Sequence, residues 1–252
     1  MNKIRMNKEI ILQSFCKICE ENNIWYSLDN YSLLFAITGF NYTENLDYHE
    51  VMMTFESYEK LKQLFPDRVM DNTKSTQYFD KQIKFLYKDN LTYTATPFLN
   101  INLVIPTTVS KVKKYLNTSN KIKDWVYKNK TFKDTNISSI KFKKIISNLL
   151  AFSIKKNTYK QLVNILYDND YEGFFVLSAR SKNIVNNWIN NITYRTTNYS
   201  LKDVKVHVLD EYKEYLTNVF GELAEKYENI KVPQNNFQYI NTVDYIKVDK
   251  NK

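Results

Sequence analysis

Apolar and polar positions alternate along this chain with two periods, that of a helix in some stretches and that of a strand in others. Ile11, Phe15 and Ile18 fall on one face of a helix that Asn7 can cap and that runs to about residue 21. Residues 24–28 follow as a short apolar strand. The chain is therefore predicted to begin with a helix and a strand.

The stretch from residue 26 to residue 65 reads strand, helix, strand, helix. Its first strand ends at Asp29, and its second strand begins in the acidic segment 47–50. Thr54 can cap the second helix, which Pro66 ends. A helix N-terminus thus directly follows Asp29, with acidic residues beside it, and phosphate and metal sites are commonly assembled in this way.

Strand periodicity returns in the next part of the chain. Residues 78–87 and 91–94 are predicted to form a hairpin, and residues 99–105 form a longer strand that Pro106 closes. In this longer strand the odd-numbered residues are all apolar, whereas two of the three even-numbered residues are asparagines. One face of the strand is therefore expected to be polar.

From residue 109 to about residue 169 the apolar spacing is helical. Short strands are predicted at residues 174–177 and 204–208, and a last helix begins at Asp210. No internal repeat, Ser/Gly linker or low-complexity segment divides the chain. The order of the elements favours an α+β fold.

A single domain is expected to span residues 1–252. Its sheet-bearing part is expected at residues 1–108, with a mainly helical part, residues 109–252, packed on it. With 43% hydrophobic and 15% aromatic residues, the chain is globular. Only three glycines occur, which excludes the glycine-rich phosphate loops of the Walker and dinucleotide-binding types.

The sequence also indicates a compartment. No run of about 18 uncharged apolar residues occurs, and the charged N-terminal segment cannot supply the apolar core of a signal peptide, so a cytoplasmic location is expected. Cys16 and Cys19 lie one helical turn apart within the first apolar stripe. They are predicted to be two small buried thiols, with a redox or zinc role as the alternative.

Positive charge is concentrated in one region. The formal net charge is +9, but residues 111–160 hold fourteen lysines and two aspartates, a local balance of +12. These lysines alternate with core-like apolar residues, so they form either a solvated helical surface or a face for an anionic membrane or glycan carrier. Nucleic acid is a weaker alternative, because no aromatic-plus-basic RNA motif accompanies the lysines.

Residues 28–61 carry a recognisable signature. It consists of Leu28, Asp29, Ser32, Leu33, Leu34, Ala36, Asp47, Glu50, Met53, Glu56, Tyr58, Glu59, Lys60 and Leu61. This order resembles the pattern of the LicD-type choline-phosphotransferase family: Leu-Asp-Gly-Gly-Thr-Leu-Leu-Gly-Ala, then Asp-Asp-Asp-Ile-Asp, then a Tyr-Glu-Lys-Leu helix. Residues 99–106 resemble the family's Ile-Asp-Ile-Phe-Pro strand, and residues 209–222 resemble its Tyr-Asp-Glu-Tyr-Leu…Tyr-Gly-Asp motif.

The resemblance implies a nucleotidyltransferase-like mixed sheet, like that of fukutin-like proteins, and a metal-assisted reaction. It implies transfer of a phospho-alcohol such as phosphocholine from a CDP-linked donor to a cell-surface glycan or lipid-linked glycan, with Mg²⁺ or Mn²⁺ as the cofactor. Glu50 and Asp47 are then the metal ligands and catalytic residues. Asp29, Ser32 and Tyr48 are the substrate-binding candidates.

The metal motif departs from the family pattern. Metal-binding carboxylates at positions i and i+2 of a strand share one face, and this chain has Tyr48 and Glu50 at those positions. Asp47 is adjacent, but on a regular strand it points to the other face. The family's third carboxylate falls on Leu103, and the neighbouring Asn102 is a weak neutral ligand.

The phosphate turn also departs from the pattern, because Tyr31 replaces its second glycine and would put a ring where donor oxygens bind. Structural roles are open for the matching residues as well. Glu50 can pair with a lysine, and Ser32 or Asp29 can cap the helix that follows.

Two functional hypotheses remain. In the first, the chain is a transferase, with a loop residue such as Glu44 supplying a further ligand and the lysine-rich region steering an anionic acceptor. In the second, it is a non-catalytic relative that binds a nucleotide-like ligand, a glycan or a partner protein. The missing carboxylates favour the second hypothesis on chemical grounds.

Overall fold

The structure is a computed structural model. It describes residues 2–40, 48–74, 82–86, 98–130, 138–151, 154, 157–178 and 184–221. Helices and a mixed sheet make up the described part, so the predicted α+β class is confirmed. The eight α-helices of this part are α1 (Asn2–Glu21), α2 (Asn30–Thr38), α3 (Phe55–Leu64), α4 (Val109–Tyr115), α5 (Thr118–Lys130), α6 (Ser138–Ala151), α7 (Tyr159–Leu166) and α8 (Tyr212–Phe220).

A seven-stranded sheet lies at the centre of the described residues. Its strands are β1 (Ser27–Leu28), β2 (His49–Thr54), β3 (Val69–Met70), β4 (Ile83–Leu86), β5 (Phe98–Thr107), β6 (Gly173–Leu177) and β7 (Trp188–Ile189). The order β1-β2-β5-β4-β3 makes β5 central, and β6 also pairs with β5 and with β7. Only the pair β2 and β5 is parallel among these pairings.

A separate antiparallel hairpin consists of β8 (Thr196–Leu201) and β9 (Val204–Leu209). It packs against α1, α2 and β1, so it covers the start of the sheet. Ser27 Oγ accepts a hydrogen bond from the Leu209 backbone N–H at 2.9 Å, which joins β1 to β9. The hairpin therefore belongs to the same core as the N-terminal elements.

Most elements of residues 26–65 are confirmed. The structure places α2 directly after Asp29, and β2 runs through Val51 and Met53. Thr54 accepts the N–H of Ser57 at 3.1 Å and caps α3. The predicted cap at Asn7 is wrong, because α1 already begins at Asn2 and no Pro or Gly interrupts its first turns.

The predicted division into a sheet-bearing and a mainly helical part stays a prediction. The described residues beyond 109 also hold β6, β7, β8 and β9, and β6 pairs directly with β5. Two of these strands were predicted, at residues 174–177 and 204–208. The others gave no signal, because β7 has two residues and β8 is largely exposed and polar. The predicted strand at residues 91–94 lies outside the described residues.

The strand β5 is buried on both faces. Pairing with β2 covers one edge, while β4 and then β6 cover the other edge. The helices α1, α3 and α7 also pack against β5. Asn100 and Asn102, which alternate with Leu99 and Ile101, are fully buried. Buried amides of this kind need hydrogen-bond partners, which the neighbouring strands supply.

Cys16 and Cys19 are free and buried, which confirms the expectation of two buried thiols. Burial raises the pKa of the Cys16 thiol to about 11, so the reactive thiolate is suppressed. Among the described helices, none combines the length and the apolar character that a bilayer-crossing helix requires.

Candidate functional site

A layer of buried polar side chains lies where β1 ends beside β2 and β5. Asp29 directly follows β1, and its backbone N–H donates to the carbonyl oxygen of Glu50 at 2.9 Å. Glu50 in turn lies opposite Asn100 in the parallel pair. We call this layer the acidic cluster and define it by Asp29, Glu50, Gln82, Lys84, Asn100, Asn102 and Tyr215.

The Asp29 carboxylate is the best-connected group of the acidic cluster. Its Oδ1 accepts the backbone N–H of Asn30 and the hydroxyl of Tyr215, each at 2.6 Å. Its Oδ2 accepts the side-chain amide of Asn102, also at 2.6 Å. Burial, together with the charge of Asp29, raises the pKa of Tyr215 well above its ordinary value, so the phenol keeps its proton and donates.

Glu50 is joined to the same cluster by Gln82. The Gln82 amide donates to Glu50 Oε1 at 3.4 Å and to Asn102 Oδ1 at 3.0 Å. Lys84 places a buried ammonium group on the neighbouring strand, 2.7 Å from Asn100 Oδ1. The carboxylates therefore lie among amide, hydroxyl and ammonium donors in the interior, and only 3% of Glu50 is exposed.

A second polar chain starts at the backbone of Glu50 and reaches α1. The Glu50 N–H donates to Ser32 Oγ at 3.0 Å, and Ser32 Oγ lies 3.2 Å from His49 Nδ1. His49 Nε2 lies 2.9 Å from Glu9 Oε2, and Lys202 donates to the other Glu9 oxygen at 2.6 Å. Ser32 and His49 are both buried, so this chain joins α2, β2 and α1 inside the protein.

Burial and hydrogen bonding shift the pKa values of His49 and Glu9 in this series of hydrogen bonds. Desolvation lowers the pKa of His49, although the Glu9 carboxylate opposes the shift. Burial raises the pKa of Glu9, but the hydrogen bonds that its carboxylate accepts from His49 and Lys202, together with the Lys202 charge, outweigh burial and hold the pKa below its ordinary value. A neutral imidazole then donates from Nε2 to Glu9 and accepts the Ser32 hydroxyl at Nδ1.

The structure places the candidate residues from the sequence in different settings. Asp29 and Glu50 come together in the acidic cluster. Ser32 contacts the Glu50 backbone from inside α2, and the cap of that helix is Asp29, so Ser32 is not the cap. Tyr48 is buried and stacks on Phe98, with ring centroids 5.6 Å apart. Asp47, like the loop residue Glu44, lies outside the described residues.

Asn102, and not Leu103, is the β5 residue that faces the carboxylates. Leu103 lies one residue further along the strand and therefore points to the opposite face. The resemblance matched the family's strand carboxylate to Leu103, one position away from the residue that reaches Asp29. Sequence spacing alone could not reveal this shift, because both residues belong to the same apolar strand.

The start of α2 keeps one backbone feature of a glycine turn. Asn30, at the first glycine of the family pattern, has a φ of 47°, in the left-handed region that favours glycine and tolerates asparagine. Tyr31 stands at the second glycine of the family pattern. Its ring packs on Phe220 of α8, with centroids 5.2 Å apart.

A divalent metal does not fit the acidic cluster as it stands. Both Asp29 oxygens accept hydrogen bonds, and Lys84 brings positive charge to the same layer. Mg²⁺ requires several oxygen ligands in nearly octahedral geometry, and amide N–H groups cannot serve as ligands. Within the described ranges, no group of three or more His, Cys, Asp and Glu side chains is placed to hold a metal ion.

A cavity of about 670 Å³ opens further along the same strands. It lies at the carboxyl-terminal ends of the parallel pair β2 and β5. Thr54 at its edge is four residues beyond Glu50, or about 13 Å along the strand. We call it the aromatic pocket, and it is lined by Trp25, Thr54, Phe55, Glu56, Val104, Ile105, Pro106, Val163, Asn164, Tyr167 and Tyr194.

The walls of the aromatic pocket are held in place by specific contacts. Trp25 Nε1 donates to the carbonyl oxygen of Tyr194 at 2.9 Å, and the two rings meet edge to face at 5.5 Å. On the opposite side, Tyr159 of α7 donates to Glu59 of α3 at 2.5 Å, which fixes the helix that carries Asn164. The pocket therefore has a defined shape without a ligand.

Tyr194 combines backbone strain with a protonated hydroxyl. Its φ of 58° is unusual for an aromatic residue, and such strain is concentrated at functional sites. Burial raises the pKa of Tyr194 to about 12, and the nearby Glu56 carboxylate adds to the shift. The hydroxyl is therefore available as a hydrogen-bond donor. Sequence reasoning missed this pocket, because its lining comes from five separate segments.

Comparison of the chain with protein-family models, with curated proteins and with solved structures finds no match. The resemblance to the LicD-type family therefore remains a prediction that depends on the residues quoted for it.

The left-handed backbone at Asn30 can be tested with two substitutions. We expect Asn30→Ala to be less stable than Asn30→Gly by about 1 kcal/mol, because alanine tolerates a positive φ poorly. At Lys113, an exposed position inside α4, the same pair should show the reverse order. Urea unfolding midpoints of the four variants measure both differences. An Asn30→Ala variant more stable than Asn30→Gly would contradict the assignment.

The buried His49 should make stability depend on pH. Its folded pKa lies below the ordinary 6.5, so the unfolded chain binds a proton first as the pH falls. Stability is then complete above about pH 6.5 and decreases below it, by up to about 1.4 kcal/mol per pH unit.

The pKa of His207 is also lowered by burial, so it contributes in the same range. We expect the slope of the unfolding free energy against pH, measured between pH 5 and pH 8, to decrease more in His49→Gln than in His207→Gln, because His49 is fully buried. An unchanged slope in His49→Gln would show that the imidazole does not titrate as described.

Proposed function

We propose that this chain is a non-catalytic ligand-binding protein and that its ligand is a neutral glycan held in the aromatic pocket. The observation that supports a non-catalytic role is the burial and hydrogen bonding of the Asp29 carboxylate. This carboxylate is fully buried and accepts hydrogen bonds from Asn30, Asn102 and Tyr215. A metal at Asp29 would have to replace these donors, and each hydrogen bond to a charged group contributes about 1.5–3 kcal/mol.

The shape and lining of the aromatic pocket support a neutral glycan as the ligand. Its volume of about 670 Å³ lies within the usual range for small-molecule sites. Tyr167 and Tyr194 are each 43% exposed, so their rings can pack on the apolar face of a sugar ring. Glu56 and Asn164 add hydrogen-bonding groups for sugar hydroxyls.

The charge of the pocket favours a glycan over a nucleotide. None of the described residues that line the pocket is a lysine or an arginine, and one of them is the acidic Glu56. Phosphate recognition depends on basic side chains or clustered backbone N–H groups. A phosphate-bearing ligand would therefore be repelled by Glu56 without compensation, whereas a neutral sugar would not.

The transferase reading is the second candidate. Asp29 and Glu50 lie together, as a LicD-like site requires, and one backbone hydrogen bond links them. This candidate requires the acidic cluster to open, so that Mg²⁺ or Mn²⁺ and a CDP-linked donor can reach Glu50 and Asp47. The burial of Glu50 favours the binding role instead.

Isothermal titration calorimetry separates the two candidates. We expect heat of binding with at least one neutral oligosaccharide from a panel of glucose and N-acetylglucosamine trisaccharides. Asn164→Ala should weaken this binding about tenfold, because it removes a hydrogen bond to the sugar. Asn198→Ala, which removes the same type of side chain from an exposed position on β8 outside the pocket lining, is the matched control and should bind as the wild type does.

The second arm of the experiment uses CDP-choline with Mg²⁺ or Mn²⁺. We expect no heat of binding with CDP-choline and either metal ion. Metal-dependent binding of CDP-choline that disappears in Glu50→Gln would support the transferase and overturn the proposal.

A further inference from the structure

The helix α6 exposes an apolar stripe. Phe142, Ile145 and Leu149 follow one another at helical spacing, so they lie on one face, which we call the α6 stripe. Their exposed fractions are 64%, 59% and 67%. An amphipathic helix of a globular protein normally turns such a stripe toward the core.

The buried side of α6 lies almost opposite this stripe. Ser147 is completely buried. Residues two positions apart in an α-helix differ by about 200° in direction, which is the same as 160° measured the other way round the helix. Ser147 therefore points about 160° away from Ile145. Within the part of the chain that the structure describes, the hydroxyl of Ser147 has no hydrogen-bond partner. The packing of α6 against α5 therefore does not use the apolar stripe.

Lysines lie on the two sides of α6 away from the α6 stripe. At about 100° per residue, Lys143 points about 160° and Lys144 about 100° from Ile145. Lys143 is exposed and Lys144 is partly exposed. The wider segment 111–160 carries a balance of +12. A helix with one apolar face and lysines on its polar surface matches an anionic lipid surface, because the apolar residues enter the acyl boundary while the long lysine side chains reach the headgroups.

Two other occupants fit the charge less well. A second copy of the chain would bring its own lysine-rich segment against this one, and like charges would repel. The segment 222–252 of the same chain holds five acidic and five basic residues, so it has no net charge to complement the lysines. Nucleic acid would match the lysines but leave the apolar stripe exposed to water.

We propose that α6 docks on the surface of a membrane that contains anionic phospholipid, with the α6 stripe inserted and the lysines on the headgroups. With 14 residues the helix is about 21 Å long, shorter than the roughly 30 Å hydrocarbon core, so it lies in the plane of the interface. This docking is independent of the ligand proposed for the aromatic pocket.

Vesicle co-sedimentation tests the docking. The full chain should sediment with vesicles of phosphatidylcholine mixed with phosphatidylserine, but not with phosphatidylcholine alone, and raised salt should weaken binding. Phe142→Ser combined with Leu149→Ser should reduce the bound fraction at least tenfold. Lys143→Glu combined with Lys144→Glu should reduce it to a similar extent.

Matched controls separate this surface from general stickiness. Leu64→Ser changes an apolar residue that is 47% exposed on α3, and Lys205→Glu changes an exposed lysine on β9. Both should leave the bound fraction unchanged. Absence of binding by the wild type would overturn the proposal, as would equal loss in the controls. A dimer that Phe142→Ser with Leu149→Ser dissociates, without any vesicle binding, would identify a second copy as the occupant and would also overturn it.

Discussion

Hydrogen bonding to the buried carboxylate of Asp29 is the interaction on which the centre of this structure depends. Asp29 caps α2, accepts the amide of Asn102 from β5 and accepts the hydroxyl of Tyr215 from α8. These three elements come from distant parts of the chain. A buried carboxylate that loses its donors costs several kcal/mol, so the three elements must stay together for the charge to be accommodated.

The rest of the acidic cluster continues this network toward other elements. Gln82 and Asn102 connect Glu50 to Asp29, while Ser32 and His49 connect the Glu50 backbone to Glu9 of α1. Side chains at positions that resemble the catalytic residues of the LicD-type family thus connect separate elements of this structure through hydrogen bonds. The ligand site that we propose lies elsewhere on the same two strands, at their carboxyl ends, where backbone strain at Tyr194 and a defined aromatic wall occur together.

Much of the fold could be predicted from periodicity, and less of the site. Elements with several turns or clear alternation, such as α3 with its Thr54 cap and β5, follow from local sequence. Short or polar strands such as β7 and β8 exist only because they pair with a neighbour, so they leave no period in the sequence.

For the site, the position of Asp29 before a helix was readable from its neighbours. Local sequence does not show which side chains reach the carboxylates, because this depends on which elements meet in space. Examples are Asn102, which reaches Asp29 in place of Leu103, and the partners Tyr215 and Gln82. The aromatic pocket depends on such contacts throughout, since Trp25 and Tyr194 are far apart in the chain.

The most direct test of the central claim is a double-mutant cycle on the free energy of unfolding with Asp29→Asn and Tyr215→Phe. If the Asp29 carboxylate is a structural hub that holds α8, the two substitutions should be coupled by about 1.5–3 kcal/mol, the usual range for a hydrogen bond to a charged group. Additive effects of the two substitutions would contradict the account, because the carboxylate would then be free of the contact that closes the acidic cluster.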